Sequence, residues 1–260
     1  MTSPAPGTSD DGLAGPEAVG PTARSDRLAD RLAARLAGRP NRARRARPQL
    51  SEEVATHLRE LIMSGTIRPG EFIRLEEVAE EVGVSITPVR EALLTLRGED
   101  MVELEPRRGY VVAPLSRQDI DDLFRLQADI AGEIAARATA VITPAELAEL
   151  GRIQEALVAA VGSAGVEEIE HLEFEFHRII NRAAESRKLS WFLHAATRYT
   201  PARFYSSDPG WRTAMLTDHR SLLAALAERD ADAVRGEMIR HFTDGAQRLT
   251  KHLDERGLWA

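Results

Sequence analysis

The spacing of apolar positions changes twice along the chain. Val54, Leu58, Leu61 and Ile62 recur at helical intervals and predict a helix from Ser51 to about Ser64. The segment TIRPGEFI reads as a turn with Arg68-Pro69-Gly70 at its corner. Leu75, Val78, Ala79 and Val82 form one stripe of a short helix, and Gly83-Val84-Ser85 closes it. Val89, Ala92, Leu93 and Leu96 then give a third helix, to about Arg97. MVELEP and GYVVAP are strand-like and are joined across Pro106-Arg107-Arg108-Gly109 as a hairpin. Three short helices followed by a two-stranded hairpin is the order of a winged helix-turn-helix.

From Ser116 the period lengthens and strands vanish. Helices are predicted from Ser116 to about Thr139, from a capping box at Thr143-Pro144-Ala145-Glu146, and over Val166–Ala184, Leu189–Ser206, Trp211–Glu228 and Asp232–Arg256. Asp230 is placed to cap the last. The expected fold is therefore mainly α, a winged helix-turn-helix followed by an antiparallel six- or seven-helix bundle. The expected division is an extension over 1–47, a winged domain over 48–115 and a helical domain over 116–260. Residues 1–23 are Pro-, Gly-, Ser- and Ala-rich, and the whole extension is expected to be disordered. Residues 24–47 hold nine Arg and two Asp, with Leu28, Leu32 and Leu36 on one helical stripe. They read either as a solvated basic tail or as an arm lying along phosphates.

Composition narrows the chemistry. There is no cysteine, so disulfides and thiolate catalysis are excluded and a metal site must use His and carboxylates. No apolar run has the length of a transmembrane helix and no signal core opens the chain, so a cytoplasmic protein without membrane contact is expected. The formal net charge is −7. Residues 48–115 carry seven Arg against thirteen acids. A nucleic acid would have to meet a small basic face there, because the general field repels it.

The third helix offers such a face. Ser85 can cap it, Thr87 is short enough to admit a close backbone, and Pro88 sits where a missing N–H costs little. Arg90, three residues beyond Thr87, reaches a phosphate or a guanine edge. The hairpin tip Arg107-Arg108-Gly109 presents two guanidinium groups on a protruding turn. SGTIRPG, EVAEEVGVSITPVREALLTL and EDMVELEPRRGYVV together resemble the winged helix-turn-helix of the GntR family of transcriptional regulators. Two positions depart from that pattern: Ile86 stands where Arg is usual, and Asp100 where Gly is usual.

The C-terminal half resembles the all-helical ligand-sensing (FCD) domain of the FadR-like branch of this family. Gln127 to Ala131 lacks both charged members of the usual R-x-x-[LI]-E pattern. In HLEFEFHRIIN, Glu173 and His177 lie one turn apart on a face flanked by Phe176 and Ile180. His219 and His241 neighbour the inward stripes of later helices. One carboxylate and three imidazoles could converge on a divalent metal (Zn, Ni, Mn or Fe), or the histidines could be ordinary core residues. Metal-binding relatives resemble D-x-x-x-H plus a His on each of the last two helices, and Glu173, His177, His219 and His241 fall on those positions with Glu for Asp. His171 and His194 are read as having no site role and His57 and His252 as surface residues. Arg137, Arg198 or Arg203 could clamp a ligand carboxylate bidentately, but each is read as solvated by default.

The resemblance implies a homodimeric DNA-binding regulator, a repressor in most relatives, on double-stranded DNA with an inverted-repeat operator. A small organic acid would be its effector. The alternatives are a regulator without metal, and a metal-dependent hydrolase or lyase with a vestigial DNA-binding domain.

Overall fold

The computed structural model describes residues 47–163 and 165–259. Residues 1–46, with the leucine stripe and all but the last arginine of the extension, lie outside the described residues.

The first helix, α1 (Arg47–Met63), begins before Ser51, because Pro48 in the first turn gives up no hydrogen bond. It buries Val54, Ala55, Leu58 and Ile62. A two-residue strand, β1 (Phe72–Ile73), follows in what the sequence suggested was only a turn. Next come α2 (Leu75–Val82) and α3 (Ile86–Gly98). Gly83 ends α2 at φ 69°, a left-handed conformation that glycine adopts without strain. Val89, Ala92, Leu93 and Leu96 of α3 are all 0% exposed and close the core against α1. The hairpin pairs β2 (Val102–Glu105) with β3 (Gly109–Val112), in register from Val102↔Val112 to Glu105↔Gly109. β1 adds to the other edge through Phe72↔Val111 and Ile73↔Tyr110, giving the order β1-β3-β2.

One expectation at α3 needs correction. Ser85 occupies the N-cap position, but its hydroxyl makes no capping bond. A capping hydroxyl accepts from the amides two or three residues on, and Pro88, the third residue of this helix, has none, which leaves only the Thr87 amide for such a bond. Asp100 has φ 55°, which accounts for the Gly preferred there.

Seven helices follow among the described residues: α4 (Arg117–Val141), α5 (Pro144–Ser163), α6 (Val166–Ala183), α7 (Arg187–Thr197), α8 (Ala202–Ser207), α9 (Pro209–Glu228) and α10 (Ala231–Glu255). α4 opens on a reciprocal box in which the Asp119 amide donates to Ser116 Oγ (3.1 Å) and the Ser116 amide to Asp119 Oδ2 (2.8 Å). The Thr143–Glu146 pair does the same for α5. Asp230 caps α10 by accepting from the Ala233 amide at 2.9 Å. The single helix expected over Leu189–Ser206 is two, α7 and α8. Pro201 cannot donate to the helix ladder and disfavours a helical Thr200, so the chain turns between Arg198 and Pro201.

The longest helices, α4 and α10, form the spine of the bundle. Two glycines let them approach. A Cβ on Gly132 would meet Arg235 Cγ at 3.1 Å, and one on Gly245 would meet the Phe124 ring at 3.2 Å. α6, α7 and α9 pack around this spine, and the cluster described next lies where α6, α9 and α10 converge. No described helix is long and apolar enough to cross a membrane.

Candidate metal centre and nucleic-acid interface

Three apolar stripes place the polar cluster. In α6 the buried Ile169, Phe176 and Ile180 define the inward face, and Glu173 and His177 lie along it. In α9 the inward residues are Trp211, Met215, His219, Leu222 and Leu226, so His219 occupies a core position in mid-stripe. In α10, His241 sits between the buried Met238 and Gly245. Each helix thus spends a core position on a metal-type donor.

The four side chains meet. Their donor atoms all lie within 4.8 Å of one another. Glu173 is the hub: His177 Nε2 is 3.2 Å and His241 Nε2 3.5 Å from its Oε1, and His219 Nε2 is 3.2 Å from its Oε2. Phe176 stacks flat on the His219 ring, with centroids 3.9 Å apart and planes 2° apart, and meets the His177 ring edge-on. These contacts fix two imidazoles from behind.

Burial dominates the electrostatics of this cluster, whose four donors could hold a metal ion. His219 is 1% exposed, and its approach to Glu173 is not aligned as a hydrogen bond. Glu173 Oε2 and both ring nitrogens of His219 are consequently buried without a hydrogen-bond partner. Leaving three such atoms unpaired costs several kcal/mol, by about 1–3 kcal/mol each. Burial alone would raise the Glu173 carboxyl, but the imidazoles of His219 and His177 hold it well below the usual carboxylate range. Burial pushes the His219 imidazole down, against the opposing pull of Glu173. At His241, burial is outweighed by hydrogen bonding to Asp218 and Glu173, and its pKa rises to about 9. Asp218 Oδ2 lies 3.4 Å from His241 Nδ1 on the side away from Glu173. It orients that ring as carboxylates orient metal-bound imidazoles.

A cavity of about 540 Å³ opens beside the cluster. Glu173, His177 and His241 line it, as do Trp211, His194 and Arg198. His194, read without a site role, therefore lies on the cavity wall, and so does Arg198, one of the three arginines read as able to clamp a ligand carboxylate. Arg137 and Arg203 lie elsewhere, paired with Glu133 and Glu167. Asp218 was not legible as a site residue, because it acquires its role through His241, on a different helix.

The residues expected at DNA occupy another surface. Ser85 and Arg90 are exposed and Thr87 is half-buried at the start of α3. Pro88 is buried, so it shapes the first turn and offers no surface of its own. Ile86, in place of an arginine, is 39% exposed on the same turn. Arg90 makes no ion pair or hydrogen bond among the described residues. At the hairpin tip Arg107 has φ 67° and is exposed. Arg108 is also exposed, but it pairs with Glu105 at 2.8 Å and lies 4.4 Å over the Phe72 ring. Gly109 begins β3 at φ 106°.

Comparison with known proteins agrees with both halves. The profile of bacterial regulatory proteins of the gntR family matches residues 50–112, and that of the FCD domain matches residues 122–244. The HTH-type transcriptional regulator McbR of Escherichia coli K12 is 27% identical over 190 residues, covering 72% of this chain and 86% of that protein. The HTH-type transcriptional repressor RspR of the same strain is 25% identical over 213 residues, covering 81% of this chain and 93% of its own. The solved structure of E. coli McbR/YncC shares the fold, with a TM-score of 0.61 at 24% identity over 78% of this chain and 97% of that one. The chain therefore belongs to the GntR family, as a DNA-binding transcriptional regulator with an N-terminal gntR-type helix-turn-helix and a C-terminal FCD domain.

Proposed function

We propose that this regulator senses a small organic acid through a divalent metal held by Glu173, His177, His219 and His241. The observation that carries the reading is the convergence of these four donors, three of their buried atoms unpartnered, beside a cavity large enough for a small ligand. One carboxylate oxygen with three imidazole nitrogens suits Zn, Ni, Mn or Fe. A bound cation would supply a Lewis-acidic centre with positions left for a ligand carboxylate. Asp218 would keep His241 in the tautomer that presents Nε2, and Phe176 would hold His219 in place.

The winged domain, residues 48–115, would read DNA with Ser85, Thr87 and Arg90 toward the groove, Pro88 shaping that turn, and Arg107, Arg108 and Gly109 forming the wing tip. The helical domain, residues 116–260, would pair two chains into a homodimer, so that two winged domains meet an inverted repeat. Repression is favoured because RspR is named a repressor. Such a protein would act in the cytoplasm. The hydrolase or lyase reading gains no support, since the relatives above are named as transcriptional regulators.

The test is a fluorescence-anisotropy titration of protein purified without a His-tag against the promoter of its own gene. It is run over a range of salt, with and without metal and a panel of organic acids. A steep salt dependence, preference for the promoter over random DNA, and an acid effect that needs metal are expected. Equal affinity for random DNA would overturn the operator reading, and an acid response that survives chelation would overturn the metal's part in sensing.

A further inference from the structure

Arg198 stands at the C-terminal end of α7, on the wall of the cavity, with its side chain 30% exposed. Its Nη2 nevertheless donates to Glu52 Oε1 of α1 at 2.5 Å and lies 3.6 Å from Glu99 Oε1. Glu99 is the C-cap of α3, the helix that carries Thr87 and Arg90. Arg59 completes the group. It is 1% exposed and donates from Nε and Nη2 to the two oxygens of Glu99, both at 2.7 Å, with Nη1 3.3 Å from Glu52. Two guanidinium groups and two carboxylates thus form a neutral quartet spanning the two regions. Gln127 steadies the segment bearing Arg198, donating to the Ala196 carbonyl at 3.2 Å and accepting from Thr200 Oγ1 at 3.0 Å. The remaining donors of Arg198 make no hydrogen bond among the described residues.

We infer that Arg198 is shared: an acidic ligand in the cavity competes with Glu52 and Glu99 for its guanidinium, and so loosens the C-terminal end of the recognition helix. The proposal rests on the sensing reading for its ligand, but its geometry is independent of the metal. A planar guanidinium with donors to spare suits a carboxylate, and the ligand class is a small organic anion. When Arg198 leaves the quartet, Glu52 keeps only its longer contact to Arg59. The Glu99 carboxylate at the end of α3 then rests on Arg59 alone. A cavity ligand and the DNA-reading helix are thereby coupled through one side chain that cannot serve both in full.

The test needs no identified ligand. His194 lies on the cavity wall one turn before Arg198, so His194→Glu places a carboxylate at the favourable i, i+4 spacing for drawing Arg198 away. Amide hydrogen exchange is followed over residues 96–101 in the full chain, free of metal and DNA. Arg198→Met should accelerate exchange there about fivefold or more. His194→Glu should do the same relative to His194→Gln, and the double variant should be no faster than Arg198→Met alone. Glu52→Gln removes the charge of the opposite partner at an exposed site and should reproduce the acceleration, so the test stands even if Arg198→Met misfolds. Native exchange rates in Glu52→Gln, or identical rates in His194→Glu and His194→Gln, would overturn the link. A chain that binds no metal would leave this result intact, and a negative exchange result would leave the metal reading intact.

Discussion

Replacing Phe176 with leucine separates packing from ligand placement in one variant. Phe176 is 0% exposed, and its ring lies flat on His219 and edge-on to His177. Leucine keeps the site apolar but forfeits about 1 kcal/mol of buried surface. It also forfeits about 0.5–1.5 kcal/mol of ring–ring contact. The sum, roughly 2 kcal/mol, corresponds to a fall in Tm of about 4–8 °C for a chain of this size. The same change frees His219 to rotate, and losing a group that orients a metal-binding imidazole weakens affinity about 10–100-fold. Circular dichroism melts in chelator measure the first effect, and calorimetric titration with Zn²⁺ or Ni²⁺ the second. A Tm within 1–2 °C of native, against the roughly 4–8 °C expected, would refute the packing argument. Unchanged metal affinity would refute the claim that this ring sets the position of His219.

Other consequences are as direct. Arg59→Leu should cost about 3 kcal/mol in urea unfolding, since it leaves the partly buried Glu99 without its main counter-charge. Asp100→Gly should stabilise by roughly 0.5 kcal/mol in the same assay, because glycine accepts the positive φ at that position. Arg107→Ala should weaken binding to all DNA sequences about equally and lower the slope of log affinity against log salt by about one. In metal-free protein, His241 has a folded pKa near 9, above its ordinary value of 6.5. The stability it contributes is therefore complete below about pH 6.5 and is lost as pH rises toward 9. Asp218→Asn should flatten that decline in urea titrations at stepped pH.

Much of this molecule was legible where the physics is local. The helix start at Ser116, the capping box at Thr143, the cap at Asp230 and the stripes of α1 to α3 follow from residues within four positions of one another, and the structure has them. Glu173 and His177 were legible as a pair because one helix turn places them together. His219 and His241 neighbour the inward stripes of their helices, and the family resemblance marked them as partners of that pair. What escaped depended on context. β1 is two residues long, too short to show alternation, and exists because β3 offers it an edge. The apolar run from Leu189 suggested a continuous helix and hid the break at Pro201. Ser85 looked like a cap, but Pro88 removes one of the two amides that a capping hydroxyl can use. The part of Asp218 is set by the imidazole of His241, on a different helix. That of Arg198 is set by Glu52 and Glu99, far away along the chain.

The most direct measurement is the metal content of the tag-free chain beside its His219→Ala variant. After exposure to Zn²⁺, Ni²⁺, Mn²⁺ and Fe²⁺ and exhaustive desalting, elemental analysis should find about one equivalent per native chain and a small fraction of that in the variant, since a site built from four donors loses most of its affinity with one imidazole gone. Native protein holding no more metal than His219→Ala would contradict the account, and the four side chains would then be a polar core.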